Sequence, residues 1–302
     1  MNAASTFLAL YMNLSILLVT YNSRRYLADC LESITRFAPP GTEVIMADNA
    51  SSDDSVEFVV REYPWVRIVR SNRNLGFSAA NNLAGKEASG RFILLLNADT
   101  VLVEPIGPAV DWLDGRSEYA VLTINMLNGE RIPRACTGRF PSPLRLILLR
   151  NMLIDPEQFG DNFGYEVDWV QGSFLLIRAE QWRALGGLDE NYFMYVEDVD
   201  LCKRVWDGGL KCAYLPHIRY MHLGGYSSAR FSEQVRGLGI YISHHMRGVW
   251  RLFSWGILCS GCLVRAVFFR ARVLLMGDEL TRTMSNASWL AFKGLLHMRS
   301  SL

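Results

Sequence analysis

Leu14-Ser15-Ile16-Leu17-Leu18-Val19 is a short β-forming run, apolar at nearly every position, and Thr20-Tyr21-Asn22-Ser23 ends it with polar groups. A strand that is apolar on both faces is one covered on both faces, as inside a parallel sheet. Directly after it, Tyr26, Leu27, Cys30, Leu31 and Ile34 recur at helical spacing, and Pro39-Pro40-Gly41 closes the element. That is one βα unit.

The same rhythm repeats. Glu43 to Ala47 reads as a strand, Asp48-Asn49-Ala50-Ser51-Ser52-Asp53-Asp54-Ser55 as loop and cap, and Val56, Val59 and Val60 as one helical face. Val66 to Val69 is a third strand, joined by Asn72-Arg73-Asn74-Leu75-Gly76-Phe77 to a helix over Ser78 to Ser89. Arg91 to Leu96 is a fourth, ending in Asn97-Ala98-Asp99-Thr100. Alternation of this kind predicts a doubly wound, mostly parallel α/β sheet flanked by helices, with ligands at the carboxyl ends of the strands.

A helix over Pro105 to Arg116 and a strand near Ala120 to Ile124 follow. Residues 125–165, with the apolar run Leu144 to Ile154, read as a loop-rich region with some helix. Asp168 to Ile177 is read as one strand with a small-residue interruption, Ala179 to Leu185 as a helix, and Gly186-Gly187 as its stop. Glu197, Asp198 and Asp200 open a helix to about Trp206. Lys211 to Leu215 is then a strand, and Pro216 to Ser227 a polar loop containing His222. Three segments result: 13–125, the run of βα units; 126–230, which holds the loop-rich stretch and the acidic cluster; and a helical extension over 231–302.

The composition is that of a globular chain, 50% apolar and 20% charged over 302 residues, and the net charge of +1 gives no global pull toward nucleic acid. Six scattered cysteines and an N-terminus without signal-peptide features suit a reduced, cytoplasmic setting. Cys259 and Cys262 form the one CxxC pair, better read as packing than as a zinc site. No run of about 18 uninterrupted apolar residues occurs. In the extension, apolar residues interleave with Arg247, Arg251, Arg265, Arg270 and Arg272, which fits either a packed helical hairpin or contact with a membrane surface through 247–277.

Several residues carry possible chemistry. Asp99 closes a buried strand and can hold a hard divalent cation or simply form a turn; His222 can supply a nitrogen ligand or be structural. Asp48 can accept from a base or ribose, or cap its loop; Arg73 offers charge to a phosphate and Gly76 close backbone approach. Neither Gly-x-Gly-x-x-Gly nor the Walker A pattern is present, so side chains and metal must hold any phosphates. Glu197, Asp198 and Asp200 suit the first turn of a helix by composition alone. Next to Tyr192-Phe193-Met194-Tyr195 they also suit a partly dry site in which one carboxylate stays basic.

Taken in order, Val19-Thr20-Tyr21-Asn22, Ala47 to Asp53, Asn72 to Phe77, Leu95 to Thr100, Gly172-Ser173, Gly187-Leu188-Asp189-Glu190, Tyr195 to Leu201 and His222 to Ser227 resemble the inverting family 2 glycosyltransferases of the GT-A fold, in their rhamnosyltransferase-like branch. The resemblance covers about residues 14–228. It implies a Rossmann-like GT-A domain that moves a sugar from a nucleoside-diphosphate donor (dTDP- or UDP-linked) to a saccharide or lipid-linked saccharide in cell-wall or surface polysaccharide synthesis, on the cytoplasmic face of the membrane. It places Thr20, Tyr21, Asn22, Asp48, Asn49, Arg73, Asn74, Gly76 and Asn97 around the nucleotide sugar, and Gly172 and Ser173 toward the acceptor. A Mg²⁺ or Mn²⁺ ion is implied at Asp99 and His222, with Asn97 departing from the Asp that opens the family's Asp-x-Asp motif. Asp198 takes the place of the catalytic base, with Glu197 its neighbour and Asp200 a supporting carboxylate. Two other readings are a sugar-phosphate nucleotidyltransferase, which lacks its Gly-rich N-terminal loop here, and a non-catalytic membrane scaffold of the same fold.

Overall fold

The computed structural model describes residues 13–147, 153–160, 162–224, 230–276 and 279–300, which form two compact units. Of these residues the first unit holds 13–139, 153–190 and 198–224, and the second holds 140–147, 191–197 and everything from 230 onward.

The chain runs through β1 (Leu14–Thr20), α1 (Arg24–Phe37), β2 (Glu43–Asp48), α2 (Ser55–Glu62), β3 (Arg67–Arg70), α3 (Gly76–Gly85), β4 (Phe92–Asn97), β5 (Thr100–Leu102), α4 (Gly107–Asp114) and β6 (Tyr119–Leu127). After β7 (Pro133–Arg134) and β8 (Thr137–Gly138) comes α5 (Pro143–Ile147), which belongs to the second unit. The first unit resumes with β9 (Tyr165–Val167), β10 (Trp169–Val170), β11 (Phe174–Arg178), α6 (Ala179–Ala184), α7 (Glu197–Asp207) and β12 (Lys211–His222).

The main sheet has the order β3-β2-β1-β4-β11-β6-β12-β5, with β7 added on β6 and β9 on β12. The first four strands are mutually parallel, and β2 and β4 flank β1, whose residues are almost all buried. That is the covered-strand pattern of Leu14 to Val19. The charged, exposed ends of β3, Arg67 and Arg70, suit its place at the sheet edge. Helix α1 packs on the sheet through Leu27, Cys30, Leu31 and Ile34, while the Ser33 hydroxyl accepts the Leu102 N–H at 3.0 Å and so ties α1 to β5.

Two sequence expectations need correction. The stretch Asp168 to Ile177 is not one strand. It breaks at Gln171-Gly172-Ser173, so that β10 pairs with β8 in a separate two-stranded sheet and β11 enters the main sheet antiparallel between β4 and β6. Glycine at the break lets the backbone leave one sheet for the other. The second correction concerns Pro216 to His222, which is strand rather than loop. Pro216 lacks an N–H for the ladder, and β12 absorbs this in a register shift between Leu215 and Arg219 before continuing. His222 therefore sits at a strand end opposite Thr100. Gly225 to Ser227 of the expected loop, and residues 148–152 of the apolar run, lie outside the described residues.

The second unit is built from α5, α8 (Arg230–His245), α9 (Gly248–Met276) and α10 (Glu279–Ser300). Its core joins Leu146 to Val235, Ile242, Trp255, Leu258, Cys262, Ala291 and Leu295, with Cys259 packed beside it, so the CxxC pair contributes volume to a hydrophobic cluster. Arg265 does not interrupt α9: its guanidinium lies over Phe231 and Phe269, 4.6 and 4.9 Å from the ring centroids.

In the first unit, α7 is fastened by an ion pair. Asp200, 1% exposed, meets Arg204 Nε at 2.8 Å, and the other guanidinium nitrogens donate to the Leu185 and Gly187 carbonyls. Asp200 is thus a buried anchor of the Gly186-Gly187 turn. Arg204→Ala removes the cation paired with a buried carboxylate and is expected to lower the unfolding free energy by on the order of 3 kcal/mol, measured as a lower urea midpoint at unchanged m-value.

Candidate active site

Parallel register aligns the polar strand ends. Thr20 pairs with Asp48 and Val19 with Asn97, so the residues that end β1, β2 and β4 share one edge of the sheet. The loops beyond are shaped by asparagines. Asn22, at φ 53°, accepts the N–H groups of Ser52 and Asp53 at 2.7 and 3.3 Å. Asn49 donates to Asn74 Oδ1 and the Gly76 carbonyl and accepts the Leu75 N–H at 2.7 Å, while Asn74 Oδ1 takes the Gly76 N–H. Asp48 Oδ1 accepts from Ser51 N–H at 3.1 Å. The side chains of Asn22, Asn49 and Asn74 are therefore spent on loop structure, at about 1 kcal/mol per hydrogen bond. Left open are Tyr21, 50% exposed, and Arg73, whose guanidinium makes no ion pair among the described residues. The Thr20 hydroxyl is buried and without a hydrogen-bond partner there.

At the end of β4, Thr100 Oγ1 donates to the Asn97 carbonyl at 2.7 Å, closing the tight step into β5. Because β12 pairs antiparallel with β5, His222 comes to Asp99: Nε2 and Oδ1 are 3.2 Å apart. Gly224 follows closely enough that a Cβ there would stand 2.0 Å from Asp99 Oδ2 and 3.4 Å from His222 Nε2. Asn97 Oδ1 is buried with no partner among the described residues.

Asp198 reaches the same neighbourhood through the β11 break. Gly172 N–H donates to Asp198 Oδ2 at 2.8 Å, and the next residue, Ser173, accepts the Asn97 N–H at 3.2 Å through its carbonyl. Val199 N–H holds the other oxygen of Asp198 at 2.8 Å. Burial pushes the Asp198 carboxyl above its ordinary value of 3.8, opposed by the Gly172 and Val199 N–H groups. Phe77 lines this junction, since a Cβ on Gly172 would lie 3.2 Å from its ring.

Two placements differ from expectation. The Ser173 side chain is 2% exposed and its hydroxyl pairs with Tyr220 Oη at 2.7 Å, so it is a core link rather than an acceptor contact. Gly172 acts through its N–H on Asp198. Phe77, which directly follows the Gly76 of its motif, went unassigned in the sequence. A second unassigned feature is backbone strain: Tyr195 and Val196 both take left-handed conformations, φ 70° and 74°. For a β-branched residue this is a true outlier, at a cost of about 1–3 kcal/mol.

A half-buried carboxylate, an Asp–His pair and an open aromatic and arginine at one end of the strands can serve group transfer from a phosphorylated donor. The sequence profile of Glycosyl transferase family 2 matches residues 15–169, half of the chain. The chain belongs to that family. The Mycobacterium tuberculosis N-acetylglucosaminyl-diphospho-decaprenol L-rhamnosyltransferase is 26% identical over 86% of this chain and 95% of its own length. The Escherichia coli rhamnosyltransferase WbbL is 24% identical over 72% of this chain and 85% of its own. Among solved structures, S. aureus TarS 1-349 in complex with UDP superposes with a TM-score of 0.55, 17% identity, 94% of this chain and 89% of that one. The Pyrobaculum calidifontis mannosyltransferase PcManGT in complex with GDP-Man and Mn²⁺ gives 0.59, 15% identity, 94% and 86%. This glycosyltransferase therefore has the GT-A fold, and the nucleotidyltransferase and scaffold readings fall away.

Within the second unit, Gly237 of α8 makes room for the strained turn that precedes the carboxylates. A Cβ there would stand 2.5 Å from the Tyr195 carbonyl oxygen and 2.9 Å from Val196 Cγ2. Gly237→Ala is expected to lower the kcat of the transferase on the order of 10²-fold by shifting the segment that leads into Asp198, with nucleoside diphosphate affinity within twofold of the parent by calorimetry.

Proposed function

We propose that this glycosyltransferase moves a deoxyhexose, rhamnose, from a pyrimidine nucleoside-diphosphate donor to a hydroxyl of a lipid-linked saccharide, with inversion at the anomeric carbon, in cell-wall or surface polysaccharide synthesis. The transfer chemistry is carried by one observation: Gly172 and Ser173, consecutive residues, bond to Asp198 and to Asn97 respectively. They thereby hold a proton-accepting carboxylate beside the strand end that leads to Asp99. The choice of sugar and acceptor is supported by the two rhamnosyltransferases, one of them named for a diphospho-decaprenol saccharide.

In this mechanism Asp198 takes the proton of the acceptor hydroxyl as its oxygen bonds to the anomeric carbon. The bond from that carbon to the diphosphate breaks on the opposite face, and its electron pair leaves with the diphosphate. Tyr21 stacks on the base, Thr20 and Asp48 border the nucleoside, and Arg73 offers charge to the phosphates. The residues at the end of β4 fit a hard divalent cation: a carboxylate and an imidazole in contact, and a cradle that a Cβ at Gly224 would fill, with a buried, unpartnered Asn97 oxygen two residues before Asp99. Asp99 and His222 would hold Mg²⁺ or Mn²⁺, which when bound neutralises charge on the diphosphate. Glu197, buried at the first position of α7, is the neighbour of the base Asp198 along the chain. Free cysteines fit a cytoplasmic setting.

The test is nucleoside diphosphate release from dTDP-rhamnose and from UDP- and GDP-sugars, with a polyprenyl-diphosphate N-acetylglucosamine acceptor, with and without chelator. Acceptor-dependent release with dTDP-rhamnose alone is expected; preference for another donor overturns the sugar assignment. Asp198→Asn is expected to reduce kcat by about 10²–10⁴-fold with donor affinity retained. Asp99→Ala is expected to weaken binding of donor and of Mn²⁺ together, by calorimetry. Because Asp198 must be ionised to accept the proton and burial raises its pKa, kcat/KM should fall on acidification at a pH above the ordinary carboxyl value of 3.8, and Asp198→Glu should displace that limb.

A further inference from the structure

Helix α9 is apolar on the side that faces away from its own unit. Ser254, Trp255, Leu258, Cys262 and Ala266 form a buried stripe at steps of three and four, as a helix of 3.6 residues per turn requires of its core face. On the opposite side stand Val249, Phe253, Val264, Val267, Phe268, Leu274 and Leu275, all exposed, Val264 at 68% and the two leucines at 85%. Isolated exposed apolar residues are ordinary, but a continuous row of them along one helix calls for a covering phase.

The charges say what kind. Residues 231–302 carry nine Lys or Arg against three Asp or Glu, whereas residues 1–230 carry 22 against 27. No acidic residue occurs between Glu233 and Asp278, a span that includes all of α9. Wound at 3.6 residues per turn, Arg272 falls along one flank of the apolar face and Arg270 along the other, while Arg251 falls on the buried side and the Arg265 guanidinium is folded over Phe231 and Phe269. None falls within it. Long basic side chains flanking an apolar face are suited to anionic headgroups, with their stems in the interface and their charges outside it.

We propose that the outward face of α9 docks on an anionic lipid bilayer, with the helix lying in the plane of the interface. By length and hydropathy, mean 1.8, the segment Gly248–Leu275 could instead cross a membrane. Its buried stripe, however, is the core of its own unit, shared with α8 and α10, so only one face is available to lipid. A second copy of the chain is disfavoured as occupant, since it would bring a matching excess of arginine against the first. The docking stands independently of the donor and acceptor assigned above and needs neither for its test.

Full-length protein is sedimented with vesicles of phosphatidylcholine alone or with roughly one-third phosphatidylglycerol. Binding to the mixed vesicles, decreasing as salt is raised, is expected. The exposed double variant Val264→Glu/Phe268→Glu and the variant Arg270→Glu/Arg272→Glu should each bind about tenfold or more weakly, with circular dichroism and the urea midpoint of the parent retained. Absence of vesicle binding by the parent, or unchanged binding by both variants, overturns the proposal. So does a concentration-dependent dimer that Val264→Glu/Phe268→Glu dissolves, which would assign the face to a second copy.

Discussion

Two backbone N–H groups, from Gly172 and Val199, each 2.8 Å from an oxygen of Asp198, hold a half-buried carboxylate whose ionised form the surroundings disfavour. Desolvation raises the proton affinity of such a group, and the two donors limit the rise. The balance leaves the proton affinity of this carboxyl above that of an ordinary aspartate. The geometry depends on the chain leaving one sheet and entering another at Gln171 to Ser173. A continuous strand there would engage the Gly172 N–H in a ladder. The antiparallel insertion of β11 is thus the structural condition for the carboxylate's environment.

Around this point the fold brings residues together by register rather than by proximity in sequence. Parallel pairing sets Thr20 beside Asp48 and Val19 beside Asn97, and antiparallel pairing of β12 with β5 sets His222 beside Asp99. The tie from Ser33 on α1 to the Leu102 N–H steadies β5, and with it the Asp99 turn. None of these pairings depends on a glycine-rich phosphate loop, in keeping with the absence of one from the sequence.

What could be read from the sequence was what has a period or a local signature. The βα units from Leu14 to Leu96 were legible because buried parallel strands are apolar throughout and their helices repeat every three or four residues. Asp99, Asp198 and His222 were legible as members of ordered motifs. Strand direction was not, because a run such as Phe174 to Arg178 has the same pattern in either orientation. His222 read as a loop residue because Pro216 breaks the local strand signal, although the sheet tolerates it through a shifted register. The left-handed Tyr195 and Val196 carry no signature at all, since neither residue type favours that conformation and only tertiary structure can impose it. The resemblance places Asn49 and Asn74 around the nucleotide sugar, and the part their side chains take in holding the loops became visible only in the hydrogen bonds.

The asparagine framework has a consequence for how such a site can change. Asn22, Asn49 and Asn74 face backbone atoms, so the loops keep their shape whatever the neighbouring side chains are. Tyr21 and Arg73, which project from those loops, contribute little to holding them. The shape of the rim is therefore mechanically uncoupled from its outward side chains: exposed positions can be exchanged one at a time without refolding the loops. A rim built this way is open to gradual exchange of its outward side chains, while the Asp99–His222 pair, set by sheet register, stays where it is.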